Sequence, residues 1–233
     1  MEKQTIAVLG GTGPQGKGLA YRFAKHGHSV IIGSRDEARG AETVAEIQAR
    51  LGSASEVTAA ANSAAAEAAD VVVIAVPYKG HAPLLTEIAS VLRGKVVIDC
   101  VNPLAFDQKG PHSLDVEERS AAEECQRLVP EAQVTGAFHL VSAVNLWSED
   151  EYLDHEDILV CGDDKDAKAV VAELAATVSG RLGVDVGPLR MARYIEPLTA
   201  MIISINKKYK VRAGITISGL ENSPLLQQAV PAS

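Results

Sequence analysis

A glycine turn spaced Gly11-x-Gly13-x-x-Gly16 limits the fold of this chain more than any other feature. It is entered from the apolar run Ile6-Ala7-Val8-Leu9 and left through an alanine- and leucine-bearing helix pattern. The three glycines serve different ends. Gly11 permits the tight turn, Gly13 lets the backbone approach a pyrophosphate, and Gly16 lets the helix pack closely on its strand. Thr12, Pro14 and Gln15 fill the positions between them. A diphosphate would then lie over a helix N-terminus, where unpaired N–H groups and the helix dipole favour negative charge. With a strand before, a helix after and a second β run, Val30-Ile31-Ile32, at the right distance, the turn reads as a dinucleotide-binding one.

The end of that second strand, Gly33-Ser34-Arg35, selects between dinucleotides. An Asp or Glu there would accept hydrogen bonds from an adenosine 2′-hydroxyl and would repel a 2′-phosphate. Ser34 instead offers a hydroxyl and Arg35 a planar guanidinium suited to phosphate, with Arg39 one helical turn further on and Thr12 adding a second hydroxyl. These residues favour NADP(H) over NAD(H). The competing reading makes Arg35 and Arg39 solvated helix-start residues balanced by Asp36 and Glu37.

The 233 residues suit one large domain or one domain with a small appendage. A hydrophobic content of 47% with only 4% aromatic residues implies a core of Ala, Val, Leu and Ile, as in helix-on-sheet packing. The net charge of −8 argues against a nucleic-acid partner, which would need a basic face. No apolar run approaches the roughly 20 residues of a membrane helix. The early first strand leaves no room for a signal peptide, so a cytoplasmic location is expected. Cys100, Cys125 and Cys161 form no Cys-x-x-Cys or His/Cys motif, so neither a disulfide framework nor a metal site is expected. Cys100 and Cys161 read as small buried hydrophobes at strand ends.

Strand and helix patterns alternate along residues 5–138, with a loop rich in Pro, Asp and Gly over 102–116. The predicted fold is α/β, a Rossmann-type doubly wound, mostly parallel sheet with a small C-terminal helical cap. The division is expected near Trp147: residues 1–146 as the NADP-binding domain and 147–233 as an α/β cap, with the final dozen residues frayed. Within the second part, Asp163-Asp164 reads as a helix start and 189–208 as a long helix. The basic run Lys207, Lys208, Lys210 and Arg212 is either an anion-docking site or a helix C-terminus favouring cations.

Taken together, Gly-Gly-Thr-Gly-Pro-Gln-Gly-Lys-Gly-Leu-Ala (10–20), Gly-Ser-Arg (33–35), Val-Cys-Gly-Asp-Asp (160–164) and Arg193-x-x-Glu196-x-Leu198-Thr199 resemble the NADPH-dependent reductases of the deazaflavin coenzyme F420. The resemblance covers nearly the whole chain, in order, and implies hydride transfer between nicotinamide C4 and deazaflavin C5, usually by a homodimer. It assigns Thr12, Ser34, Arg35 and Arg39 to the 2′-phosphate, and puts Val76 and Pro77 beside the nicotinamide. His139, Val141 and Ala143 line both rings, with Val141 pressing them together and His139 donating a hydrogen bond or relaying a proton. Asn102, Pro103, Arg193 and Thr199 are assigned to the deazaflavin. Position 197 is Pro, where some members offer a hydroxyl, so one deazaflavin hydrogen bond lacks its donor here. The other histidines, His26, His28, His81, His112 and His155, read as solvated loop residues. The alternatives are an NADPH-dependent reductase of flavins, quinones or metal chelates, and a non-catalytic NADP(H) sensor.

Overall fold

Runs of Val and Ile build a central sheet buried on both faces, as a parallel sheet between two helix layers must be. The computed structural model describes residues 2–220 and 223. In chain order these form β1 (Thr5–Leu9), α1 (Pro14–Lys25), β2 (Ser29–Gly33), α2 (Glu37–Leu51), β3 (Val57–Ala60), α3 (Asn62–Ala68), β4 (Val71–Ile74), α4 (His81–Ile88) and β5 (Val96–Asp99). There follow β6 (Leu104–Asp107), β7 (Gly110–Ser113), α5 (Ala121–Leu128), β8 (Gln133–Gly136), α6 (Ala143–Leu146), β9 (Leu159–Gly162), α7 (Lys165–Ser179), β10 (Val184–Gly187) and α8 (Ala192–Tyr209). Short 3-10 turns at Tyr78–Gly80, Ala89–Leu92 and Leu189–Met191 lead into or out of helices.

Eight strands pair in the order β10-β9-β8-β5-β4-β1-β2-β3, all parallel except the β8–β9 pair. This is the expected doubly wound α/β sheet. Alternate side chains of β1 show the two-layer logic. Ile6 and Val8 join a core with Leu19 of α1, Ile47 of α2 and Val171 of α7. Ala7 and Leu9 join another with Ala65 of α3, Leu85 of α4, Cys125 of α5 and Ile202 of α8. Chain order reverses between β1 and β4, and the crevice at their carboxyl ends is where such sheets bind ligands.

The C-terminal part adds two strands to this same sheet as well as helices. β9 runs antiparallel to β8, and β10 pairs parallel with β9 to form the edge, so the sheet is mixed at this end, as many large sheets are. The 102–116 loop contains a hairpin, β6–β7, that its composition concealed: the Asp107 carboxylate accepts from the N–H groups of Lys109 and Gly110, and Gly110 has φ +122°. Phe106 is exposed on it, so no buried alternation betrayed the strands. Asp164 caps α7 through the Ala167 N–H (2.8 Å), as the Asp pair suggested. No helix among the described residues is long and apolar enough to cross a membrane. Apart from Ser223, the last dozen residues lie outside the described ones.

Candidate active site

The turn after β1 makes its strictest backbone demand at Gly10, not at Gly11 as the spacing suggested. Gly10 has φ +83°, and a Cβ there would stand 2.6 Å from the Ala75 carbonyl oxygen. Gly11 and Gly16 are packing glycines: their added Cβ atoms would lie 2.8 Å from the Val8 oxygen and 2.6 Å from the Gly10 oxygen. Gly13 is the N-cap of α1, with Pro14 beginning the helix, and neither a capping side chain nor an acidic residue occupies the first turn. The first N–H groups of α1 therefore remain available to an anion.

At the tip of β2, Ser34 Oγ donates to the Asp36 carbonyl (2.8 Å) and accepts from the Asp36 N–H (3.1 Å). Asp36 in turn caps α2 through the Arg39 N–H (3.2 Å). Asp36, one of the two acids set against the arginines in the competing reading, is thus committed to the helix cap. Arg35 and Arg39 are exposed and form no ion pair among the described residues. Two guanidinium groups without counterions at this strand tip are what a 2′-phosphate would need.

The carboxyl ends of β1, β4, β5 and β8 open onto a cleft of about 390 Å³. Gly13–Gln15, Val76, Pro77, Asn102, His139, Val141, Ala143 and Thr199 all line it, so segments far apart in sequence converge here. Phe138 takes φ +61°, a rare conformation for a bulky residue, and Gln15 Nε2 donates to its carbonyl (3.0 Å). That twist precedes His139, which lines the cleft while its ring lies against Gly136 of β8. His139 is 4% exposed, and neither ring nitrogen has a hydrogen-bond partner among the described residues. Burial pulls its pKa down to about 4, against a weaker upward pull from Asp99, so the imidazole is neutral at pH 7. Asn102 Nδ2 and Thr199 Oγ1 both donate to the His139 carbonyl, at 3.0 and 3.1 Å. Asn102 Oδ1 is likewise buried without a partner among the described residues. These neutral polar atoms lie unpaired just beneath the wall of an apolar cleft, whose composition suits a flat ring system.

Two expectations need correction. Arg193 does not line the cleft; its Nε donates to Glu123 Oε2 of α5 (3.2 Å), and its second arm pairs with the same carboxylate. Residues 193 and 199 lie six positions apart on α8, which at 3.6 residues per turn puts them on different faces. Pro103 is buried at the base of the hairpin, its carbonyl accepting from the Leu114 N–H, and does not reach the cleft. Pro197 sits inside α8, as the sequence required. The basic run ends that helix, all four side chains exposed, between cleft-lining Asn206 and Ala213.

The histidine reading also fails in part: His28 and His81 are buried, whereas His112 and His155 are exposed. His81 lies behind the cleft, its Nε2 2.6 Å from Asp99 Oδ2 and its Nδ1 2.7 Å from Glu124 Oε2. Cys125 Sγ belongs to the same buried group. These are hydrogen-bond lengths; two ligands on a tetrahedral metal at about 2.0–2.3 Å would stand farther apart. Asp99 Oδ1 accepts from the Val101 N–H (3.0 Å), holding the turn that carries Asn102. Glu196 accepts from the Ala121 and Ala122 N–H groups, and burial followed by the Asp99 charge raises its pKa to about 8. Positions 81, 99, 124 and 196 form no spacing motif, so only the fold could assemble them.

Residues 5–103 match the family model described as NADP oxidoreductase, coenzyme F420-dependent. An F420-dependent NADP reductase of Methanothermobacter thermautotrophicus is 40% identical over 221 residues, 92% of this chain and 95% of the relative. One of Methanocaldococcus jannaschii is 38% identical over 222 residues, 93% of this chain and 99% of the relative. The chain belongs to the coenzyme F420-dependent NADP oxidoreductase family. Among solved structures, one from Arthrobacter sp. fb24, put forward as an F420-dependent NADP-reductase, superposes with TM-score 0.79 at 28% identity. It covers 92% of this F420-dependent oxidoreductase and is itself covered completely.

Proposed function

We propose that this protein transfers a hydride between NADP(H) and coenzyme F420, one proton being taken up for each deazaflavin reduced. The observation that carries this reading is the unpaired, neutral His139 beside Val141 in a cleft shared by the phosphate turn and α8. When bound, the nicotinamide supplies or receives the hydride. The protein itself orients and excludes water. The open N-terminus of α1 holds the diphosphate, and Arg35 and Arg39 hold the 2′-phosphate. Val76 and Pro77 bound the nicotinamide side. Asn102 and Thr199 fix the His139 backbone, so that its ring presents a neutral donor and acceptor to the deazaflavin edge. Mixing the protein with NADPH and oxidised F420 should bleach the deazaflavin absorbance. Tight NADPH binding without bleaching of F420 would instead support the flavin-reductase or sensor reading.

Val141 is 6% exposed and lines the cleft, which supports its proposed role in setting ring contact. Val141→Ala should leave NADPH affinity within about twofold and slow hydride transfer about tenfold or more, because a loosened ring pair departs from reactive distance. Single-turnover stopped flow separates the two, and an unchanged hydride rate would remove Val141 from the mechanism.

The working form is a cytoplasmic homodimer. In support, α8 exposes Tyr194, Met201, Ile205 and Tyr209, at 63, 58, 41 and 64%. These positions repeat at 7, 4 and 4 residues and so share one helical stripe, which a second copy would cover in an isologous contact. Met201→Lys should shift the sedimentation coefficient from dimer to monomer; a monomeric wild type would refute the assembly.

A further inference from the structure

A second cavity, of about 480 Å³, lies on the far side of the Val76–Pro77 lip from the main cleft. Both residues line both spaces, so a dinucleotide reaching from Arg35 to His139 would pass over them. Arg35, Asn62, Lys79 and Glu87 are its polar residues, with Pro83 and Leu84 adding apolar wall. Asn62 is 8% exposed, and its Oδ1 has no hydrogen-bond partner among the described residues. That oxygen stands over the tip of β2, where a Cβ added to Gly33 would meet it at 2.9 Å. Lys79 projects from the 3-10 turn after Pro77, exposed and without an ion pair among the described residues.

We propose that Asn62 and Lys79 are specificity residues of the 2′-phosphoadenosine subsite, Asn62 accepting from a sugar hydroxyl and Lys79 facing Arg35 across the 2′-phosphate. The inference rests on the NADP(H) reading and deepens it. An amide oxygen can only accept, so its missing partner is a donor, and the sugar hydroxyls are the donors next to a 2′-phosphate. Chains that choose NAD use a carboxylate near this place, and its charge would repel the phosphate. A neutral oxygen delivered from α3 keeps the acceptor and drops the repulsion. Lys79 comes from a different element than Arg35 and Arg39, so the phosphate would be gripped from both lips. As a point charge it needs no fixed fork geometry, which suits a residue on a short exposed turn. Glu87, the acid of the same cavity, stands on α4, eight residues past Lys79 in the chain.

The test is calorimetric binding of adenosine 2′,5′-bisphosphate and adenosine 5′-phosphate to the full-length protein, free of any hydride step. Wild type should bind the bisphosphate at least about tenfold tighter. Lys79→Met should weaken the bisphosphate about tenfold and the monophosphate less than about twofold, with Lys79→Arg restoring most of the loss. Asn62→Asp, which keeps the acceptor and adds charge, should weaken the bisphosphate about tenfold while sparing the monophosphate. A wild type that does not prefer the bisphosphate would overturn the NADP(H) reading together with this subsite. Wild-type preference retained unchanged in both variants, or equal losses for both ligands, would overturn the roles of Asn62 and Lys79 alone.

Discussion

Replacing Arg35 and Arg39 together by alanine should raise the Michaelis constant for NADPH about 100-fold while changing that for NADH less than about threefold. Each charge-assisted contact to a phosphate contributes roughly 1.5–3 kcal/mol, or about tenfold or more in affinity, and two such contacts on one anion approach the product. The selectivity follows from where the charges stand. Arg35 follows the end of β2 and Arg39 lies in the first turn of α2, where a 2′-phosphate is proposed to sit, and neither forms an ion pair among the described residues. The diphosphate, common to both dinucleotides, is proposed to rest instead on the uncapped N-terminus of α1. Neither arginine is buried, so their loss leaves the fold intact, and unfolding midpoints should be unchanged. Steady-state kinetics with both dinucleotides decides the matter. Comparable rises for NADPH and NADH would place the arginines elsewhere on the cofactor and return them to the solvated role.

Local patterns made the nucleotide half of this molecule legible. The run Ile6–Leu9, the glycine turn and the Ser34-Arg35 strand end are contiguous signals, each with a short-range physical meaning, and the structure joins them as the spacing implies. The glycine roles within the turn shifted by one residue, because left-handed backbone at Gly10 cannot be told from sequence when two glycines adjoin. The second half of the site depends on contacts between distant segments. Thr199 and Asn102 meet on the His139 carbonyl across separations of 60 and 37 residues. Arg193 was drawn to the cleft by its place in a motif, yet helical phase turns it to Glu123. The His81 cluster had no signal at all: one histidine at the start of α4 looks solvated until Asp99 and Glu124 close around it. Hairpin β6–β7 was hidden for the converse reason, its strands being too exposed to carry an apolar pattern.

His81→Ala should destabilise the protein by about 3–5 kcal/mol at pH 7, the cost of stranding buried charge by deleting its partner. His81 and Asp99 are both 0% exposed, so once the imidazole is gone Asp99 has neither water nor counterion. Burial alone would lower the His81 pKa, but the Asp99 charge and the hydrogen bonds to Asp99 and Glu124 outweigh it and hold the value at about 9. The unfolded chain would titrate near the ordinary value of about 6.5. The folded state therefore binds the extra proton, and its contribution is complete below about pH 6.5 and is lost as pH rises through 9. Glu196, raised to about 8, acts in the same direction at lower pH. The stability gap between wild type and His81→Ala should accordingly narrow as pH climbs past 9. Urea unfolding at a series of pH values measures it, with His81→Gln as the milder variant should the alanine form fail to fold. A gap constant from pH 6 to 10 would mean that His81 acts as a neutral packed ring, and that its carboxylate neighbours are held by something else. Because Asp99 also anchors the turn bearing Asn102, the variant that does fold should loosen the His139 backbone and weaken F420 binding more than NADPH binding.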